Sequence, residues 1–290
     1  MSNKLLIIAD IEDKCAASAR GLQLADEMDL IPEVVAFTHT DIKRLKVDKD
    51  AGAAIKAQLM AERRSTITQR INKLAGDNNG IKINIVWAES IHEWISKRVA
   101  GGDYIVVVKS RHKSESFGHT STDWHLLRTC PVPVLLVNKK RWAKDASILA
   151  TVDLGATGKT KQKLNLDVVL EARHYAEVLN MELKVLCVLE VPTLLSDLDL
   201  VDPKTYAQER QKMQLPVMQE LADQSGLPTS AFVFKRGPVA KTIVSEAANN
   251  KAQLVVMGSV GRKGVKAQLI GNEAERVLGL LKTDTLTLKP

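Results

Sequence analysis

Two short aliphatic runs that end in aspartate, LLIIAD at residues 5–10 and ILATVD at 148–153, stand roughly 145 residues apart and open the same succession of elements twice. Both are continuously apolar rather than alternating, the pattern of a strand buried on both faces of a sheet. In the first half, strands are expected at 4–10, 31–39, 81–88, 103–108 and 133–138. Helical periodicity lies between them over 14–29, 51–74 and the stretch that follows Ser90, which is placed to cap it. The second half repeats the series, with strands expected at 148–153, 182–191, 229–235, 253–258 and 285–289. Its helices run over 164–179, through Leu221 after an insertion at 193–203, and after Gly237-Pro238. Strands alternating with helices require parallel pairing with helical crossovers. The expected fold class is therefore α/β: two tandem doubly wound domains, 1–141 and 145–290, each with a five-stranded, mainly parallel open sheet flanked by helices. A basic segment at 139–146 links them.

Composition narrows the function classes. The chain has 290 residues, enough for two cores, and only 4% aromatic residues, so the cores are aliphatic. No apolar run approaches the roughly 20 residues of a membrane span. The apolar run at 5–8 ends in Ala9 and an acid, unlike a signal peptide, so a cytoplasmic setting without a membrane partner is expected. The net charge of +7 is spread along the chain and reads as a solvated basic surface. No aromatic-interleaved basic strand points to nucleic acid. Cys15, Cys130 and Cys187 are odd in number and far apart, which indicates neither a disulfide framework nor a metal site.

One unit carries chemistry: residues 252–278, AQLVVMGSVGRKGVKAQLIGNEAERVL. It reads as a buried strand, a loop and a helix, with Gly258, Gly261 and Gly271 spaced G-x2-G-x9-G and Asn272 after the last. Glycines let backbone amides approach a ligand, and amides converging at a helix start favour an anion such as phosphate. In open α/β sheets ligands lie beyond the carboxyl ends of the strands, at the switch point. There Asp153, ending the first strand of the second half, meets the glycine loop that ends the fourth. GATGKT at 155–160 imitates a phosphate-binding P-loop, but that motif needs a glycine at 153, where this chain has Asp. Lys159 and Lys161 are therefore read as solvated helix-start residues. Aligned on its fourth strand, the first half has Lys109 and His112 at the places of Gly258 and Gly261, where side chains obstruct a phosphate. His112, His119 and His125, near Asp123 and Cys130, match no standard zinc spacing. Thr122-Asp123 reads as a helix start. No paired carboxylates or positioned base support catalysis, and Glu273 and Glu275 fit helix-start electrostatics.

These residues resemble the universal stress protein family, whose ATP-binding members carry G-x2-G-x9-G-[ST] after the fourth strand. Gly258, Gly261 and Gly271 match that motif, and Asp153 matches the family's acid after the first strand. The whole chain is similar to a tandem of two such domains, of the UspE type. The resemblance implies a stress-response sensor or adaptor that binds ATP or another adenine nucleotide, with or without Mg, in the second domain. It implies that Gly258, Gly261, Gly271 and Asn272 face the phosphates, that Asp153 faces the adenosine, and that Ser259 and Arg262 are secondary contacts. Asn272 departs from the family's hydroxyl residue but donates through its amide. The resemblance further implies an intrachain pseudo-dimer of the two domains and allows a homodimer. Two alternatives stand beside it: a module for an apolar or acylated metabolite in the first-domain cleft, and a slow ATP hydrolase.

Overall fold

The computed structural model describes residues 3–10, 16–77, 80–111, 122–138, 141–143, 146–191, 202–260 and 272–290. The chain divides into two compact units, Met1–Lys140 and Arg141–Pro290. Unit 1 runs β1 (Lys4–Ala9), α1 (Ala16–Glu27), β2 (Ile31–Thr38), α2 (Lys49–Ala75), β3 (Lys82–Trp87), α3 (Ile91–Val99), β4 (Tyr104–Ser110), α4 (Thr122–Thr129) and β5 (Val134–Val137). Its sheet is parallel throughout, in the order β3-β2-β1-β4-β5. Unit 2 runs β6 (Ser147–Val152), α5 (Lys159–Val178), β7 (Glu182–Leu189), α6 (Pro203–Ser225), β8 (Phe232–Arg236), α7 (Val239–Asn249), β9 (Ala252–Gly258), α8 (Asn272–Leu280) and β10 (Asp284–Leu288). Its parallel order, β8-β7-β6-β9-β10, repeats that of unit 1. Each unit is thus doubly wound, and the order reverses beside its first strand.

Burial explains why the strands read so plainly. Leu5, Leu6 and Ile7 of β1 and Leu254, Val255 and Val256 of β9 are fully covered, as central strands flanked by helices on both faces must be. Helix ends follow local chemistry. Asp48 Oδ1 accepts from Ala51 N at 2.7 Å, which starts α2 at Lys49, two residues before its apolar pattern. Asp202 Oδ2 accepts from Thr205 N at 2.6 Å with Pro203 opening α6, and Gly226 ends it at a φ of 65°. Ser90 does stand at the start of α3, but its side chain makes no capping bond. α5 begins at Lys159, five residues ahead of the expected Leu164, because its first turn is exposed and carries no apolar periodicity. Among the described residues no helix is long and apolar enough to cross a membrane.

A polar knot ties β2 to its neighbours in unit 1. Glu33 of β2 is only 4% exposed and accepts from Arg98 of α3 at 2.8 and 2.9 Å, from the Tyr104 hydroxyl and from Asn84 of β3. Burial opposes the charge, but the hydrogen bonds from Arg98 and Tyr104 outweigh it and hold the Glu33 carboxyl below its ordinary 4.5. Burial and the same carboxylate push the Tyr104 hydroxyl up to about 12. A carboxyl lowered on folding stabilises the fold above its unfolded value, and that stability is lost as pH falls through the folded value. Glu33→Ala is expected to cost roughly 2–4 kcal/mol in urea denaturation at pH 7. The gap to the unsubstituted chain should narrow as the pH drops below 4.5.

Candidate functional site

At the carboxyl ends of β6 and β9 in unit 2, where the strand order reverses, the sheet and helices enclose a cleft of about 620 Å³. Its wall is apolar, built from Leu164, Leu186, Leu189, Ile243, Met257 and Val277. Its rim is polar, with Asp153, Lys161, Asn165, Arg210, Gln214 and Glu273. An apolar slot with a few converging polar groups suits a flat ring carrying a polar tail.

The structure brings together part of the expected set. Asp153 follows β6 and is exposed at the rim. Asn165 of α5 clamps its backbone, accepting from Asp153 N at 3.1 Å and donating to Asp153 O at 2.8 Å. Asp153 Oδ1 accepts from Gly155 N at 3.0 Å, so the side chain turns the local loop and leaves the start of α5 to Gly158. Gly258 closes β9 and also lines the cleft. A Cβ on Gly258 would stand 2.7 Å from Leu164 Cδ2, so glycine here lets α5 close onto β9. Ser259 departs from expectation: it is 2% exposed, does not line the cleft, and spends its amide on Leu288 O at 2.8 Å. Gly261, Arg262 and Gly271 lie outside the described residues, as does the side chain of Asn272, whose backbone opens α8.

Other rim residues come from a helix that carried no signal of its own. Tyr206, Arg210 and Gln214 recur every fourth position on α6, form one helical face and all line the cleft. Their spacing was visible, but nothing in it tells which strand end the helix crosses. Lys161, read as solvated, also lines the cleft. Cys187 is buried, and burial pushes its thiol up to about 12, which keeps it protonated and unreactive.

The corresponding place in unit 1 corrects the register expected for the duplicate. Arg111 N donates to Val137 O at 2.9 Å as Ser259 N donates to Leu288 O, so Ser110 corresponds to Gly258 and Lys109 to Met257. A one-residue slip in a strand moves a side chain to the other face. Ser110 accordingly meets α1, its Oγ accepting from Ala17 N at 2.9 Å. Lys109 meets α4 instead, in a buried ion pair with Asp123 at 2.6 Å. Cys130 N donates to Leu126 O as Leu281 N donates to Val277 O, which matches Asp123 to Ala274. A buried ion pair in unit 1 thus replaces Met257 and Ala274, two lining residues of the unit 2 cleft. The span from Ser110 to Asp123 is also three residues shorter than that from Gly258 to Ala274. Arg63 and Arg70 of α2 donate to Asp10 O at 2.7 and 3.2 Å, where unit 2 uses the neutral Asn165. His112 and His119 lie outside the described residues, and His125 stacks on His92 with ring centroids 4.2 Å apart. Among the described residues no group of three or more His, Cys, Asp or Glu side chains gathers in a way that could hold a metal ion.

Comparison with known proteins agrees with this architecture. Residues 156–289 match the model of the universal stress protein family. The chain is 29% identical to universal stress protein E of Escherichia coli (strain K12) over 247 residues, 83% of this chain and 78% of that one. It is 27% identical to a universal stress protein E homolog of Haemophilus influenzae, over 99% of this chain and 97% of that one. In three dimensions it is similar in fold to a universal stress protein from Archaeoglobus fulgidus, with a TM-score of 0.64 at 18% identity, over 100% of this chain and 99% of that one.

Two packing predictions follow from the equivalent positions of the two units. Gly258→Val is expected to lower stability by about 1–3 kcal/mol, and Leu164→Ala on the same chain should recover part of that loss in thermal melts. Lys109→Met removes the buried cation 2.6 Å from the Asp123 carboxylate and should cost about 3–5 kcal/mol in urea denaturation. Adding Asp123→Ala, which copies the unit 2 pair, should restore most of it.

Proposed function

We propose that this chain, whose residues 156–289 match the universal stress protein family model, is a member of that family and that its second unit, residues 145–290, binds an adenine nucleotide while the first, 1–141, keeps the fold without an equivalent pocket. The observation that carries this reading is the cleft at the switch point of unit 2, with Asp153 on one rim and Gly258 on the other. Its residues fit the group. The apolar wall around Leu186, Ile243 and Val277 accepts the flat faces of a base. Asp153, held by Asn165, offers a fixed acceptor toward the adenosine. Phosphates would lie toward the segment from Gly258 to Asn272, with Lys161 as a nearby cation. The carboxylate of Glu273 on that rim is paired with Arg276 at 2.8 Å, which limits its repulsion of phosphate.

The role follows from the chemistry available. The cleft offers binding surface and acceptors, so the chain acts as a sensor or adaptor whose state depends on nucleotide occupancy, in a stress response. In unit 1 the Lys109–Asp123 pair and the shortened span argue against a second nucleotide, so one site per chain is proposed. Calorimetric titration of ATP into the full chain should give one site. Asp153→Ala should weaken it about tenfold or more, and Lys109→Met/Asp123→Ala should leave it unchanged. Absence of ATP binding, or binding indifferent to Asp153→Ala, overturns the reading. Native mass spectrometry of the chain as purified supplies the cross-check, since a retained apolar metabolite in place of nucleotide would redirect it.

A further inference from the structure

Helix α6 joins two unlike halves at Pro216. A proline inside a helix has no N–H, so the carbonyl of Lys212 lacks its partner four residues on, and the ring crowds that turn. Before Pro216 the helix buries Ala207 alone, whereas after it Met218, Leu221, Ala222 and Ser225 are all buried. Hydrogen bonds also hold the second half. Arg173 of α5 donates to Ser225 O at 2.6 Å, and the amides of Gly226 and Leu227 both return to Ala222 O. The first half is capped only locally, by Asp202 on Thr205 N.

Geometry carries this sparsely packed half over the cleft. The 23 residues of α6 span about 34 Å, whereas the 8 of β7 span about 26 Å. The helix follows the carboxyl end of β7, so its excess length projects past the strand ends. Tyr206, Arg210 and Gln214, all in this half, line the cleft together with those ends. Among the described residues their side chains make no hydrogen bond or ion pair. Unit 1 is built differently. Its helix α2 has no proline, and Arg63 and Arg70 bond it to Asp10 O at 2.7 and 3.2 Å. In unit 2 the corresponding carbonyl, Asp153 O, is taken by Asn165 of α5, which leaves α6 without that tie.

We infer that residues 203–215 of α6 form a clamp that pivots at Pro216 and closes on the ligand of the unit 2 cleft, with Arg210 meeting its anionic group and Tyr206 covering the mouth. The inference rests on the nucleotide reading above and adds the contacts from α6 and their motion. A guanidinium with no partner in the cleft gives up none in reaching for a phosphate, and an Arg–phosphate contact is charge-assisted and often bidentate. Bending at Pro216 breaks no backbone bond at that turn, because the one from residue 216 is already missing. The second half stays in place, since moving it would uncover Met218, Leu221 and Ala222. Closure of this kind shields a bound ligand from water and slows its release.

The test is hydrogen-exchange mass spectrometry on the full chain with and without ATP, beside calorimetry to establish occupancy. ATP should slow exchange of the amides at 207–215 about tenfold or more and leave those at 218–225 as they were. Arg210→Met should weaken ATP about tenfold and remove most of the slowing at saturating ATP. Pro216→Ala completes the helical ladder, so the free chain should already exchange slowly at 207–215, and ATP should change that rate less than about twofold. Arg210 and Pro216 are both exposed, so neither substitution disturbs the core. An occupied chain whose exchange at 207–215 is unchanged overturns the clamp and leaves the nucleotide reading intact. So does slowing that extends equally through 218–225, or that persists in full in Arg210→Met or Pro216→Ala at saturating ATP. If calorimetry finds no ATP binding to the unsubstituted chain, the nucleotide reading falls and the clamp falls with it.

Discussion

Everything in either unit depends on a five-stranded parallel sheet that must be covered on both faces. Parallel strands cannot be joined by tight turns, so each connection crosses the sheet and brings a helix with it. In both units the chain moves outward from the first strand through the second and third, then returns to the far side of the first. At that reversal the connections leave in opposite directions, and the carboxyl ends of the two central strands face a gap that no crossover fills. The unit 2 cleft is the consequence of this winding. Its polar rim is what the particular residues at those strand ends add.

How closely the helices approach that gap is decided by very small side chains. α5 packs over β9 because position 258 has no Cβ to meet Leu164. In unit 1 the same position is Ser110, whose hydroxyl accepts an amide from the first turn of α1. Both solutions anchor the first helix of the unit to its fourth strand, one through close contact and one through a hydrogen bond. The first brings an apolar side chain of α5 to the cleft wall, since Leu164 lines it.

The duplicated units diverge on the opposite face of the same strands. Met257 and Ala274 of unit 2 correspond in position to Lys109 and Asp123 of unit 1. An apolar pair gains from burial directly, whereas the ion pair must first recover the cost of removing two charges from water. The buried pair is consequently poor evidence of added stability. It does bind α4 to β4 and puts charge where unit 2 has the apolar Met257 and Ala274. Two guanidiniums directed at the Asp10 carbonyl reinforce the difference.

The sequence by itself determined the fold class, the strand sequence and the tandem organisation, because buried strands must be continuously aliphatic and their turns must be marked. Local chemistry such as Asp202-Pro203 and Gly226 was equally legible, since capping involves neighbours a few residues apart. Asp153 and Gly258 could be nominated because the topology fixes where their strands end. Tertiary structure alone decided the register between the duplicates, because side chains alternate every residue and aligning Lys109 with Gly258 assigned it the wrong face. It alone removed Ser259 from the cleft, through the amide bond to Leu288, and brought Arg210 and Gln214 to Asp153. Those residues lie more than fifty positions apart in the chain, and only the crossing of α6 over the strand ends makes them neighbours.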